Sequence, residues 1–331
     1  MAKDQETDSS GIWMPMDDGT QLYLRRWKVK NPKAVLHIAH GMAEHSGRYA
    51  RLALRLNAEG IEVWAADQRG HGETACNKQN DSGRGGLLGH CADTDGFLRV
   101  TADIDIINRA IIKEFPGIPH FLMGHSWGSF ITQSYIENYE GRSSAYGENP
   151  VKLNGCILSG TRGPDGIKVA MGAPLMAFLA ALKGEKSSSK FAKAAADGPY
   201  NGFFKPNRTN SDWLSRDEKE VDAYEADPLC GFLCSVGFYR DMARALKRIH
   251  RPMEMKKIRK ELPIYIFSGS ADPVGDMGSS PSALEAAFRQ LEIKDLEIVL
   301  YPDARHETLN ETNRDEVTES LNSWLLRHCG I

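Results

Sequence analysis

The chain has 331 residues, of which 41% are hydrophobic and 26% charged, the composition of an ordinary globular protein. Its net charge of -3 suggests neither nucleic acid nor a strongly anionic surface as a partner, so we expect no nucleic acid partner. The first ten residues lack a basic start and an apolar stretch, so no secretory signal is visible. With its six cysteines expected to stay reduced, the chain is predicted to be cytoplasmic.

Strand-like and helix-like segments alternate along most of the chain. The first two strands, 12–16 and 22–29, are predicted to form a hairpin. The later alternation predicts a mostly parallel sheet flanked by helices. The later strands are predicted at 34–39, 61–66, 118–123, 153–159, 263–269 and 296–301. The helices are predicted at 49–59, 97–115, 129–139, 281–291 and 312–327.

The alternation stops between residues 160 and 257, where helical and loop signals occur without a strand signal. We therefore expect an insertion, a helical cap of roughly a hundred residues over the site. The predicted division is a first core part at 1–162, a cap at 163–256 and a second core part at 257–331.

One cap segment, 167–182, would be apolar on nearly every face of a helix. It is too short for a membrane span, and Gly172 and Pro174 interrupt it. Three interpretations stay open: packing onto the core, lining an acyl channel, or transient contact with a membrane surface that would make the protein peripheral there. On the second and third interpretations, the contacting residues are Met171, Leu175, Met176, Phe178 and Leu179.

A serine lies in a glycine-rich turn between a predicted strand and a predicted helix. The segment Gly124-His125-Ser126-Trp127-Gly128 has the G-x-S-x-G pattern of a nucleophile elbow, a sharp turn that lifts the hydroxyl above the sheet. Glycines fit on either side because the serine backbone is strained and larger neighbours would clash. The pattern predicts Ser126 as a nucleophile.

A serine nucleophile needs a base, and the base needs an orienting acid. Asp272 and His306 each follow a predicted strand, so both lie at the sheet edge where sites form in open α/β sheets. The chain order of serine, aspartate and histidine fits such a sheet. We predict His306 as general base and then acid, and Asp272 as its orienting group. Asp276 and Asp303 are alternative acids, and Asp272 is also interpretable as a turn starter.

A tetrahedral oxyanion needs backbone donors. The N–H of Trp127, directly after the serine, is the first candidate. The N–H of Met42, in the loop that follows strand 34–39, is the second. That loop is also interpretable as a tight strand exit. Glu44 and His45 follow it, and we expect an ion pair or a loop brace there, with substrate contact as the second interpretation.

Five segments of the predicted core match one family pattern. Residues 40–49 are similar to an H-G-x-x-E-H-S-x-R-Y stretch and 67–72 to D-x-R-G-H-G, while 124–128, 270–275 and 304–307 match three catalytic blocks. Together they resemble the monoacylglycerol lipases and bacterial lysophospholipases of the α/β-hydrolase superfamily. The resemblance covers the core well.

This resemblance implies an α/β-hydrolase fold with an eight-stranded, mostly parallel sheet and an inserted helical cap. It implies a serine hydrolase that cleaves carboxylic esters of single-chain lipids, a monoacylglycerol or a lysophospholipid, through an acyl-enzyme. The roles given above carry over to Ser126, Asp272, His306, Met42 and Trp127. No metal and no organic cofactor is expected, and the partner is the lipid ester itself.

Three alternatives to that function stay open. One is an iminopeptidase-like serine peptidase, although the loop at 40–42 lacks the H-G-G-P-G run of that group. Another is a general short-chain carboxylesterase. The third is a binding protein of the same fold with an inert site.

Overall fold

The computed structural model describes residues 9–164, 174, 180–182, 184–196 and 198–330. Within these residues, eight strands form one sheet in the order β1-β2-β4-β3-β5-β6-β7-β8. The strands are β1 Ser9–Pro15, β2 Gln21–Trp27, β3 Ala34–Ala39, β4 Ile61–Asp67, β5 His120–His125, β6 Gly155–Ser159, β7 Ile264–Gly269 and β8 Leu296–Tyr301.

The sheet is mostly parallel, as the sequence predicts. β1 pairs with β2, and β2 with β4, in antiparallel fashion, whereas all pairs from β4 through β3 to β8 are parallel. Strands β3 to β7 are buried along their whole length. Parallel strands covered on both faces read as continuous apolar runs rather than alternating ones, which is why these segments stand out in the sequence.

Helices cover both faces of the sheet. They are α1 Ala50–Ala58, α2 Gly72–Cys76, α3 Gly96–Glu114, α4 Trp127–Asn138, α5 Lys190–Ala196, α6 Glu218–Ala226, α7 Val236–Ile249, α8 Pro252–Met255, α9 Ser279–Gln290 and α10 Arg314–His328. Neighbouring β5 residues show the two faces: Phe121 packs with α1 and α10, whereas Leu122 packs with α3, α4 and α7. Most of the apolar core therefore lies in two layers, one on each side of the sheet.

The segment between β6 and β7 contains α5 to α8 and, in its described residues, no strand of the sheet. Its last long helix, α7, packs against α3 and α4 of the core, with the rings of Phe238 and Trp127 4.9 Å apart. The division of the chain into core and cap at 162/163 and 256/257 stays a prediction.

Two observed boundaries differ from the predicted ones and matter for the site. β5 runs to His125 instead of stopping at 123, and α4 begins at Trp127 instead of 129. Glycines 124 and 128 caused the difference, because the sequence pattern treats glycine as a break. As a result, Ser126 is the single residue between a strand and a helix.

Candidate active site

Ser126 occupies a strained turn at the carboxyl end of β5. Its backbone dihedrals are φ 53° and ψ -122°, a conformation that residues other than glycine rarely adopt. The flanking glycines permit it: a Cβ on Gly124 would lie 2.3 Å from the carbonyl oxygen of Gly128. A Cβ on Gly128 would lie 2.1 Å from the carbonyl oxygen of Ala39. The turn fits the geometry of a nucleophile elbow.

Asp272 and His306 meet at the neighbouring strand ends. His306 Nδ1 lies 3.0 Å from each carboxylate oxygen of Asp272. The carboxylate also accepts the N–H of Val274 at 2.8 Å and the hydroxyl of Ser268 at 3.1 Å, which fix its orientation. With Nδ1 donating to the carboxylate, the neutral imidazole carries its free lone pair on Nε2.

The structure brings Asp272, rather than the two alternative acids, to this histidine. Asp276 is exposed. Asp303 lies in the turn after β8, and its backbone N–H donates to the hydroxyl of Ser270. Neither carboxylate is hydrogen-bonded to His306, whose ring is bonded to Asp272 alone among the described residues.

Burial and charge act in opposite directions on this pair. Burial disfavours the imidazolium, but the charge and the hydrogen bond of Asp272 outweigh it, so the pKa of His306 lies above its ordinary value of 6.5. Burial likewise disfavours the carboxylate, but His306 outweighs it and lowers the pKa of Asp272 below its usual range. The pair therefore favours a proton on the imidazole, as a general base requires when it accepts one.

Ser126 and His306 line the same cavity, whose volume is about 470 Å³. Among the hydrogen bonds of the described residues, none joins the serine hydroxyl to His306; such bonds are often long before substrate binds. The imidazole is held between two other rings, those of His125 at 4.9 Å and Trp213 at 5.1 Å. Burial, followed by the charge of His306, lowers the pKa of His125 to about 4, so this second imidazole is neutral at pH 7.

The two predicted oxyanion donors belong to segments that adjoin the serine. Trp127 is the first residue of α4, where backbone N–H groups lack helical partners and the helix dipole favours negative charge. Met42 lies in the loop after β3, and a Cβ on the preceding Gly41 would lie 3.2 Å from Ser126 Cβ. Within the described chain, neither the N–H of Met42 nor that of Trp127 donates a hydrogen bond. Both are free to bind an oxyanion.

Glu44 braces this loop. One carboxylate oxygen accepts the N–H of Gly41 at 2.5 Å and the hydroxyl of Tyr49 at 2.9 Å. The other accepts from Arg48 at 2.8 Å. Arg48 also forms two parallel bonds to Glu307, at 2.6 and 2.7 Å. The expected loop brace and ion pair are therefore present; Glu44 also lines the cavity, so substrate contact stays open.

The cap segment contacts both sides of the site. The carbonyl oxygen of Trp213 accepts the N–H of His306 at 3.4 Å. On the other side, the carbonyl oxygen of Ala43 accepts the N–H of Gly231 at 2.9 Å and the hydroxyl of Tyr224 at 3.1 Å. The segment therefore covers the cavity and is hydrogen-bonded to the loops that carry Met42 and His306.

Comparison with known proteins places the chain. A family model, Hydrolase_4, described as serine aminopeptidase, S33, matches residues 30–313. The monoglyceride lipase of Mus musculus is 30% identical over 319 residues, 93% of this chain and 88% of that protein. The monoacylglycerol lipase of Mycolicibacterium smegmatis is 28% identical over 302 residues, 90% of each. The chain belongs to the Hydrolase_4 family of α/β-hydrolases.

A solved structure agrees at the level of the fold. The crystal structure of a thermostable carboxyl esterase from Bacillus coagulans in complex with glycerol has a TM-score of 0.84 and 24% sequence identity, covering 97% of this chain and 99% of that one. The predicted α/β-hydrolase fold and the resemblance to the monoacylglycerol lipase branch are confirmed. The protein is a carboxylic ester hydrolase of this branch.

The predicted contacts of the cap lie outside the described residues of this hydrolase. They are Met171, Leu175, Met176, Phe178 and Leu179. Among described residues, the cavity is lined by cap side chains that the sequence analysis did not select: Trp213, Leu214, Tyr224, Phe232, Leu233 and Tyr239. The sequence signal for these residues was the number of aromatic side chains that follow the apolar segment 167–182. No helix in the described part of the chain combines the length and apolarity needed to cross a bilayer.

One group of side chains has donor types suited to a metal ion. Ligand atoms of His45, Asp227 and Cys230 lie within 4.8 Å of one another. Hydrogen bonding accounts for two of the three residues: His45 Nε2 lies 2.9 Å from Asp227, and Nδ1 accepts the N–H of Gly47 at 3.2 Å. A metal on Nε2 would require the proton on Nδ1, where that N–H already donates. These residues join the oxyanion side to the cap.

Proposed function

We propose that this hydrolase cleaves the ester bond of single-chain lipids, with a monoacylglycerol as the preferred substrate class. Ser126 is the nucleophile, His306 the general base and acid, and Asp272 the group that orients His306. The N–H groups of Met42 and Trp127 form the oxyanion hole. The observation that carries the proposal is a strained serine that shares one cavity with a histidine held by a buried aspartate.

The reaction follows from these positions. The Ser126 hydroxyl attacks the ester carbonyl while His306 Nε2 takes its proton, and the carbonyl oxygen gains a negative charge between the N–H groups of Met42 and Trp127. His306 then gives the proton to the leaving glycerol oxygen, and an acyl-Ser126 remains. Water, deprotonated by His306, attacks the acyl-enzyme and releases the fatty acid. Asp272 stabilises the imidazolium in both steps.

The substrate class is supported by the cavity and by the relatives. The cavity volume of about 470 Å³ suits a small ligand. Its walls combine apolar side chains such as Phe232 and Leu233 with polar ones such as Asn201 and Glu44, as an ester with an acyl chain and a polar alcohol requires. Two relatives that match nearly the whole chain are named monoglyceride or monoacylglycerol lipase.

A membrane surface is the expected source of such a substrate. Described cap residues include the exposed apolar side chains Leu182, Phe191 and Phe203, on the same segment as the cavity-lining Lys190 and Asn201. We include transient contact of this cap with a lipid surface in the proposal, with the protein itself cytoplasmic. A vesicle flotation assay tests this contact. If the active protein does not associate with the vesicles, membrane contact is removed from the proposal.

The test is a hydrolysis panel on purified protein. It compares monoacylglycerols with short, medium and long chains, the matching lysophosphatidylcholines, and p-nitrophenyl esters, with Ser126→Ala as the inactive variant. Ser279→Ala is the matched control because Ser279 is exposed at the start of α9. We expect the highest kcat/KM on a monoacylglycerol and loss of all ester activity in Ser126→Ala alone. A preference for lysophospholipid or for the shortest esters would replace the substrate class and keep the nucleophile.

Peptidase activity is the second candidate, because the matching family model is described as a serine aminopeptidase. An aminopeptidase must bind the free amine of its substrate, for which a free carboxylate near the nucleophile would serve. Of the described carboxylates that line the cavity, Glu44 and Glu307 already pair with Arg48, whereas Glu225 on α6 is exposed. Arylamides of proline and alanine in the same panel separate the two functions, and arylamide cleavage exceeding ester cleavage would favour the peptidase.

A further inference from the structure

A buried bridge of three charged side chains joins the two loops that flank the nucleophile. Glu44, Arg48 and Glu307 have side chains that are 4%, 12% and 6% exposed. Glu307 directly follows His306 in the loop after β8. Glu44 holds the N–H of Gly41, the residue before Met42, in the loop after β3. Arg48 bonds to both carboxylates, so one guanidinium links the oxyanion side of the site to the side that carries the base.

The geometry of this link is rigid. The guanidinium meets Glu307 through two parallel N–H to oxygen bonds, an arrangement that fixes direction as well as distance. Its third bond reaches Glu44, which is fixed in turn by Gly41 and Tyr49. The centre of the aromatic ring of Tyr224, from the cap, lies 4.9 Å from the guanidinium carbon.

The charges of the bridge do not cancel. It contains two carboxylates and one guanidinium, and burial strengthens their mutual interaction. Burial opposes ionisation of both glutamates, but Arg48 outweighs it and lowers their pKa values, for Glu44 to about 2. Both therefore stay ionised at pH 7, and the bridge carries one net negative charge.

That charge faces the catalytic imidazole together with the groups from the other elements packed around it. These are Asp272 after β7, the neutral His125 at the end of β5, and the ring of Trp213 from the cap. Among the influences that raise the pKa of His306, the charges of Glu307 and Glu44 follow the larger ones of Asp272, and burial opposes them all. The bridge therefore acts on the base by position and by charge.

We propose that Arg48 is a positioning residue. It fixes the loop after β3, which carries Met42, relative to the loop after β8, which carries His306, and it partly neutralises the charge of Glu44 and Glu307 near His306. It touches neither the reacting atoms nor the serine; it acts through Glu44 and Glu307. The proposal rests on the proposed roles of Ser126, His306 and Met42. A displacement of about 1 Å between such groups can lower a rate by roughly 100-fold, so a link between the loops has a measurable effect.

The experiment compares kcat/KM against pH for four variants. Arg48→Met removes both the positive charge and the paired hydrogen bonds of the guanidinium. Arg48→Lys keeps the charge but cannot form the two parallel bonds to Glu307, and Glu307→Gln removes one carboxylate charge. Arg55→Met is the matched control, since Arg55 lies two turns along the same segment in exposed pairs with Glu59 and Glu319. Thermal unfolding of each variant is recorded in parallel.

We expect the plateau of kcat/KM to fall about 10- to 100-fold in Arg48→Met, mostly through kcat. The acid limb of the pH profile of kcat/KM should move to higher pH by about one unit, because Glu44 and Glu307 then face His306 without the positive charge of Arg48. Arg48→Lys should lose rate but leave the limb in place. Glu307→Gln should move the limb to lower pH, the opposite direction. A loss of fold alone would shift none of these limbs.

Wild-type rates and an unmoved limb in both Arg48→Met and Arg48→Lys would overturn the proposal. If Arg48→Met does not fold, Arg48→Lys and Glu307→Gln test the proposal. Full activity in both variants, with the acid limb at the wild-type pH, would also contradict it. Absence of ester activity in the wild type would instead contradict the proposed function, so the two failures are distinguishable.

Discussion

Gly41 approaches Ser126 so closely that a Cβ on the glycine would lie 3.2 Å from the Cβ of the serine. It would also lie 2.8 Å from the Glu44 oxygen that holds this loop. The approach brings the loop that carries Met42 against the nucleophile, and a side chain at position 41 would have to displace the Glu44 carboxylate and crowd the serine.

Gly41→Ala should therefore displace the oxyanion loop and lower kcat by about 100-fold, the effect of losing one oxyanion donor. KM should change little, because the donor acts in the transition state. Steady-state kinetics on a p-nitrophenyl ester measure both. Gly202→Ala is the control, since a Cβ there meets nothing within 4 Å. Equal kcat values for the two variants would remove Met42 from the oxyanion hole.

Asp272→Asn should lower kcat by about 10⁴-fold while the fold is kept, because the amide no longer holds the imidazole tautomer that presents a lone pair on Nε2. Asp276→Asn and Asp303→Asn are the controls, and each should stay within about twofold of the wild type, since neither carboxylate is bonded to His306. A larger loss in either control than in Asp272→Asn would reassign the orienting acid.

The pH dependence of kcat/KM should report His306. The base must be neutral, so the rate falls as pH drops through its pKa, which lies above 6.5 because Asp272 outweighs burial. In Asp272→Asn, burial remains without the carboxylate charge, and the residual activity should show its acid limb at lower pH. A limb that stays in place when Asp272 is changed would assign the titration to another group.

Glu137 on α4 should make the stability of the protein decrease with rising pH. Its carboxyl is buried, and one oxygen has no hydrogen-bond partner among the described residues. Burial, with the charge of Glu254, raises its pKa from 4.5 to about 9. A group with a raised folded pKa stabilises the fold below 4.5, and this contribution is lost as pH rises towards 9, at up to about 1.4 kcal/mol per pH unit.

Glu137→Gln removes that titration. Urea unfolding at pH 6 and pH 8 should show a smaller loss of unfolding free energy between the two pH values in the variant than in the wild type. Glu285→Gln, on the surface helix α9, should leave the difference unchanged. Equal slopes in the wild type and Glu137→Gln would mean that the carboxyl ionises without penalty in the folded state.

Most of the sheet and the central serine could be predicted because their signals are local. Strands buried on both faces are continuous apolar runs, and the elbow needs glycines at fixed positions around Ser126. The strand ends also placed Asp272 and His306 at one sheet edge, since parallel strands end together. The predicted strand 118–123 ends two residues before the observed β5, because Gly124 in a strand resembles a break until its close contact with α4 is known.

The remaining features depend on pairs far apart in the chain. Arg48 and Glu307 are separated by 259 positions, and no local pattern indicates that they meet. The pairing of His45 with Asp227, 182 positions away, is similarly hidden. Trp213 lies in the cap segment, and its contact with His306 depends on the packing of the cap on the core. Long-range packing, rather than local preference, decides these contacts.

The most direct test of the account is where an active-site-directed fluorophosphonate reacts. The probe labels only a serine activated by a nearby base, and peptide mapping by mass spectrometry identifies the residue. We predict one adduct per chain, on Ser126, with labelling slowed by orders of magnitude in His306→Ala and slowed less in Gly41→Ala. Labelling of a different serine, or full-rate labelling of Ser126 in His306→Ala, would contradict it.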